Sequence, residues 1–148
     1  MKHRKPVILV VEDDSDDLEL LRHAFEEVGI TNSIEVATDG QEALDYLFSR
    51  GSHSGREAIP PQLVLLDLKL PKIGGLEVLR TIKADPCTKS IPVVILASSR
   101  DERDLADGYQ LGANSYIQKP IDFAEFQTSV RAIGHYWLVV NNPSPARP

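Results

Sequence analysis

Five short apolar runs alternate along the chain with five segments whose apolar residues recur at helical spacing. Val7 to Val11 is the first run, and it ends in the acids Glu12, Asp13 and Asp14. Leu18, Leu21, Phe25 and Val28 then repeat every three or four residues, which predicts a helix with Ser15 as its cap and Gly29 as its stop. Ser33 to Thr38 alternates, with Ile34 and Val36 facing one way and Glu35 the other. Asp39, with Glu42 three residues on, has the spacing of a capping box and opens a helix reaching about Phe48. From Ser49 to Gln62, closely spaced His, Ser and Gly residues and the pair Pro60-Pro61 predict a long exposed loop.

The alternation continues. Leu63 to Leu66 is wholly apolar and stops at Asp67. Gly74-Gly75 precedes a helix marked by Leu76, Leu79 and Ile82. Val93 to Leu96 is the fourth run, followed by a helix carrying Leu105 and Tyr109, with Ser99 as its candidate cap and Glu102 three residues on. Ser115 to Gln118 is the fifth run. Asp122 and Glu125 begin a last helix whose stripe is Phe126, Val130, Ile133 and Trp137, reaching about Val139. One domain over 7–140 is expected, with tails at 1–6 and 141–148, the second expected to be disordered.

Strict strand–helix alternation implies an α/β fold: a doubly wound parallel sheet covered by helices on both faces. Strands buried on both faces read as continuous apolar runs, as the first, third and fourth do. The second alternates and the fifth is mixed, so these belong at the edges. Right-handed crossovers then favour the order 2-1-3-4-5, which is also the order of flavodoxin.

Composition narrows the function. The chain has 148 residues and a net charge of -6, and Lys2-His3-Arg4-Lys5 is its only basic cluster. Nothing resembles a basic stripe for nucleic-acid phosphates, so no nucleic-acid partner is expected. Cys87 is the sole cysteine and cannot form an intrachain disulfide. No apolar segment approaches the length needed to cross a membrane. A cytoplasmic protein is expected.

Ligands in such sheets sit beyond the carboxyl ends of the strands. Glu12 and Asp13 follow the first strand, and Asp67 ends the third. Ala97, Ser98 and Ser99 end the fourth, and Lys119 with Pro120 the fifth. Adjacent central strands therefore gather three carboxylates, with a lysine and hydroxyls alongside. Clustered carboxylates need compensation, and a hard divalent cation such as Mg²⁺ suits oxygen ligands of this kind. Lys119 would add a point charge for phosphoryl oxygens. Asp67 then reads as a carboxylate nucleophile that forms an acyl phosphate, while Asp14 and Asp17 read as an acidic helix start. A lone Asp after a strand is more often a cap, and a lone lysine more often a surface charge. Their joint placement carries the functional reading.

The segments Ile8-Leu9-Val10-Val11-Glu12-Asp13, Leu65-Leu66-Asp67-Leu68-Lys69-Leu70-Pro71 with Gly75, and Tyr116-Ile117-Gln118-Lys119-Pro120 resemble those of response-regulator receiver domains of two-component signalling. The resemblance runs from about Val7 to Gly134. It implies a flavodoxin-like receiver fold and a role as a signalling protein, not an enzyme. It implies Mg²⁺ held by Glu12, Asp13, Asp67 and the backbone carbonyl of Lys69. It further implies a phosphoryl contact from Lys119, a usually cis Lys119–Pro120 bond, Tyr116 as the switch aromatic, and a sensor histidine kinase as phosphodonor. The 49–62 loop and the ending Gly134-His135-Tyr136-Trp137-Leu138 look like the stand-alone regulators paired with bacterial phytochrome kinases. Only a short tail remains after the last helix, so no output domain is expected.

Ala97 stands where this family carries Thr or Ser, a hydroxyl that joins the phosphoryl group to the aromatic switch. Ser98 points to the other face and would line the site's mouth, as a possible phosphoryl contact. Two other readings compete. A phosphatase of the haloacid-dehalogenase type also uses an Asp after a strand but wants an acid two residues on, where Lys69 stands. A docking module without phosphorylation is favoured by Ala97 and opposed by the intact acids and lysine. Finally, Phe123, Tyr136, Leu138, Val139 and Val140 add apolar surface that one helix stripe cannot hide. A homodimer through the last helix is expected.

Overall fold

The computed structural model describes residues 7–27, 29–30, 33–55, 60–97, 102–118 and 123–137. Among these, β1 (Val7–Val11), β2 (Ser33–Ala37), β3 (Leu63–Asp67), β4 (Val93–Ala97) and β5 (Ser115–Gln118) form one parallel sheet. Its order is β2-β1-β3-β4-β5. The helices are α1 (Ser15–Glu27), α2 (Gly40–Leu47), α3 (Gly75–Ala84), α4 (Glu102–Gln110) and α5 (Phe123–His135).

The central strands β3 and β4 are buried at every position, and β1 at all but its first. The edges behave differently for the reason the sequence suggests. β2 alternates in burial, and β5 is half-buried throughout, because each has a neighbouring strand on one side only. Side chains alternate across the strands, so the sheet feeds two cores. Leu9, Val11, Val64, Leu66, Val93 and Ile95 pack with Leu44, Val78, Leu79 and Ile82 of α2 and α3. Ile8, Val10, Leu63, Leu65, Val94 and Leu96 pack with Leu21 and Phe25 of α1 and Phe126, Val130 and Ile133 of α5. Each such side chain contributes roughly 1.5–3 kcal/mol on burial.

Asp39 accepts a 2.7 Å hydrogen bond from the Glu42 N–H, as a helix cap should. Glu42 reaches back to the Thr38 N–H at 2.8 Å, one residue earlier than in the usual box. The long loop contains a single 3₁₀ turn, Gly51–His53, within its described part.

Two expectations need correction. The cap of α1 is Asp14, not Ser15. Asp14 Oδ1 accepts from the N–H groups of Asp16 and Asp17, and Ser15 is already helical. A carboxylate also suits the positive end of a helix better than a hydroxyl does. On α4, Leu105 and Tyr109 mark the helical period but face outward, 39% and 50% exposed. The residue facing the sheet is Gly108, where a Cβ would lie 2.7 Å from Ile95 Cδ1 and 3.6 Å from Tyr116 Cδ2. The helix lies too close to the sheet for a larger side chain there.

Candidate functional site

The site lies where β1 and β3 end side by side. Val11 pairs with Leu66, so Glu12 and Asp67 are the next residues on adjacent strands. Strand geometry carries them to the same sheet edge, and the Glu12 N–H is tied to the Ala37 carbonyl of β2 at 2.9 Å. Glu12 and Asp67 are 2% and 8% exposed, whereas Asp13 is exposed. One carboxylate oxygen from each of the three lies within 4.8 Å of the others. Oxygens this close together are of the kind that could hold one hard divalent cation such as Mg²⁺. Two buried acids and one exposed acid make an oxygen-only donor set with an open side, which fits a hard divalent ion.

The backbone holds these acids in place. The Asp14 N–H donates to Glu12 Oε2 at 3.3 Å, and the Lys69 N–H to Asp67 Oδ1 at 3.4 Å. Glu12, Asp13, Asp67 and Lys69 line an open cleft of about 640 Å³, with Asp14 to Asp17 along its rim. Gly75 opens α3 close behind Asp67. Its N–H bonds the Leu68 carbonyl at 3.0 Å. A Cβ there would meet the Asp67 carbonyl and stand 2.6 Å from Leu68 Cα. Only glycine lets the start of α3 press against the strand that carries Asp67.

Ala97 is 2% exposed and belongs to the same core face as Ile95, against which Tyr116 also packs. No hydroxyl joins the acids to Tyr116 at this position. Lys69, not an acid, stands two residues after Asp67, as the phosphatase reading would not have it. Lys119, Pro120, Ser98, Ser99 and Asp122 lie outside the described residues, so the lysine, the hydroxyls and the expected cis bond belong to the sequence reading alone. Sequence reasoning passed over the approach of Gly40 to the loop after β3. The only signal was a glycine inside a helix start, which the cap at Asp39 already explained.

Residues 8–131 match the response regulator receiver domain family. The protein named "Probable methanogenesis regulatory protein FilR2", from Methanothrix harundinacea, is 43% identical over 141 residues, 95% of this chain and 89% of that one. Response regulator Rcp1 of Synechocystis is 36% identical over 132 residues, 89% of this chain and 88% of that one. Its Mn²⁺-bound crystal structure superposes with a TM-score of 0.87 at 34% identity, covering 96% of this chain and all of that one. The phosphorylated cyanobacterial phytochrome response regulator RcpA gives a TM-score of 0.88 at 35% identity, over 96% of this chain and 100% of that one. Receiver domains bind a divalent metal at an acidic pocket and partner with sensor histidine kinases. With the fold, the strand order and the acid cluster all in agreement, the chain belongs to the response regulator receiver family.

Proposed function

We propose that this receiver is a phosphorylatable switch whose acceptor is Asp67. The observation that carries the reading is the set Glu12, Asp13 and Asp67 lining one open cleft. An Asp67 carboxylate oxygen attacks the phosphorus of a phosphohistidine on a sensor kinase. The P–N bond breaks, its electron pair returns to the imidazole, and an acyl phosphate remains on Asp67. Glu12 and Asp13, with Asp67 and the Lys69 carbonyl, would hold Mg²⁺, which when bound supplies positive charge against the crowded acids and phosphoryl oxygens. By the sequence reading, Lys119 would contact the phosphoryl group, and Ser98 would be a second contact. The exposed side of the cleft admits the donor histidine, while the buried floor limits competing water at Asp67.

The likeness to RcpA supports a bacterial phytochrome as the kinase, and we place the protein's action beside that kinase in the cytoplasm. No helix among the described residues is long and apolar enough to cross a membrane. Tyr136, half-exposed and edge-on to Trp137 at 4.9 Å, supports a homodimer through the end of α5. Borohydride trapping of the phosphorylated chain followed by peptide mapping tests the acceptor. Label on the peptide holding Asp67, at that residue, is the expected result. Label at another residue contradicts it.

A further inference from the structure

The loop from Leu68 to Gly74 joins Asp67 to α3 and carries Lys69 on the cleft. It is held at two points. At its base, Gly75 presses on Asp67 and Leu68, as described. At its tip, the loop meets the start of α2, an element that contributes no residue to the acid cluster. The Gly40 N–H bonds the Pro71 carbonyl at 3.3 Å. A Cβ at Gly40 would collide with the Ile73 carbonyl and lie 2.8 Å from Ile73 Cβ. The obstacle is mainly backbone, so a side chain there would move the loop itself. Asp39 adds a second tie, its Oδ2 lying 3.5 Å from Lys72 Nζ while its Oδ1 caps α2. Lys72 sits at φ +66°, a left-handed conformation that a lysine adopts only when its surroundings impose it.

We propose that Asp39 and Gly40 are positioning residues for the metal site. They hold the tip of the Leu68–Gly74 loop against α2, so that Lys69 stays in register with Glu12, Asp13 and Asp67. The proposal deepens the metal reading above and rests on it. It explains why a lysine is held left-handed at an exposed loop position where glycine would be easier. A lysine at φ +66° has few other conformations to visit once the Asp39 contact and the Gly40 packing are made. Loss of these ties frees the loop and lowers the fraction of molecules ready to bind. Supporting partners of metal ligands change affinity by roughly 10–100-fold when removed, and a displaced backbone ligand belongs at that scale.

The test is a Mg²⁺ titration of the whole chain, followed by the amide resonances of Glu12, Asp13 and Lys69, with thermal midpoints measured in parallel. Gly40→Ala is expected to weaken Mg²⁺ about tenfold or more. Because that variant packs a methyl against backbone and risks misfolding, Lys72→Gly is the second arm. It removes the tie to Asp39 and suits φ +66° without strain, so it leaves the thermal midpoint near that of the wild type. Its Mg²⁺ affinity is nonetheless expected to fall severalfold. Asp39→Asn keeps the cap and loses the charge, and is expected to fall between wild type and Lys72→Gly. Wild-type affinity in both Gly40→Ala and Lys72→Gly overturns the proposal, as does a loss that merely tracks thermal stability. A wild-type chain that shows no Mg²⁺-dependent shift at these amides overturns the metal reading itself.

Discussion

Glu12 and Asp67 stand one residue beyond the paired Val11 and Leu66, so two nearly buried carboxylates share the end of two adjacent parallel strands. The Asp14 N–H donates to the first and the Lys69 N–H to the second. Asp13, exposed beside them, completes a set that one cation can bridge.

Mg²⁺ should therefore stabilise the fold. At ten times its Kd, a ligand bound only by the native state adds about 1.4 kcal/mol. Asp13→Asn tests the assignment cleanly, because Asp13 is exposed. Without metal, the variant should unfold within about 0.5 kcal/mol of the wild type. With metal, it should lose most of the stabilisation. Thermal melts across a Mg²⁺ series provide the measurement, and an unchanged metal response in Asp13→Asn would remove that residue from the site.

Ala97 bears on switching more than on phosphorylation. It is buried on the face shared by Ile95 and Tyr116. Ala97→Thr should restore a hydroxyl between the acids and Tyr116, adding about 1 kcal/mol to the difference between phosphorylated and free forms. The added bulk in a filled core is expected to cost roughly 1–3 kcal/mol of overall stability. Ala97→Ser should give the same gain with less strain. Hydrogen exchange on wild type and both variants, with and without the phosphoryl group, reads this out. Equal changes in all three would show that Ala97 does not limit coupling.

Lys83 closes the opposite end of the sheet. Its Nζ donates to the carbonyls of Lys89 and Ile91 at 3.0 and 2.8 Å and to Asn114 Oδ1 at 3.3 Å. Asn114 Oδ1 also accepts from the Val93 N–H at 2.9 Å. Burial pulls the Lys83 ammonium below its ordinary 10.5. Between the lowered folded value and 10.5, the unfolded chain binds more protons, so stability from this group rises with pH. It is fully present above 10.5 and is lost as pH falls through the folded value. Wild type should therefore gain stability over Lys83→Met as pH climbs through that window. At neutral pH, Lys83→Met should still be destabilised by about 1–3 kcal/mol, from the acceptors it strands. Denaturant titrations of both proteins at several pH values would measure the difference, and a constant gap would contradict the prediction.

The end of α5 should mediate self-association. Sedimentation at micromolar concentration is expected to give a dimer, and Tyr136→Ala or Trp137→Ala to shift it toward monomer. The Gln62 side chain reaches the Trp137 carbonyl at 3.4 Å, so Trp137→Ala leaves that backbone tie available. Unchanged mass in both variants, or a wild-type monomer at every concentration, would sink the idea.

Much of this molecule was legible in residue order. The apolar runs of β1, β3 and β4 announced burial on both faces, and the alternation of β2 and the mixed β5 announced the edges. The acids of the site were legible because strand ends converge whatever the details of packing. What escaped was set by close approach. Gly108, which no apolar period marks, is the residue that meets the sheet. Gly40 follows the cap at Asp39 with no pattern to mark it, and its lack of a side chain admits the loop that follows Asp67. Ser15 has the composition of a cap, but the backbone places Asp14 one residue earlier, where its carboxylate accepts from Asp16 and Asp17.

Intact mass after incubation with acetyl phosphate tests the central claim most directly. With Mg²⁺, the wild-type chain should gain one phosphoryl group. The gain should disappear in Asp67→Asn and in excess chelator. A wild-type mass that stays unchanged, or an adduct that survives in Asp67→Asn, would contradict Asp67 as the acceptor.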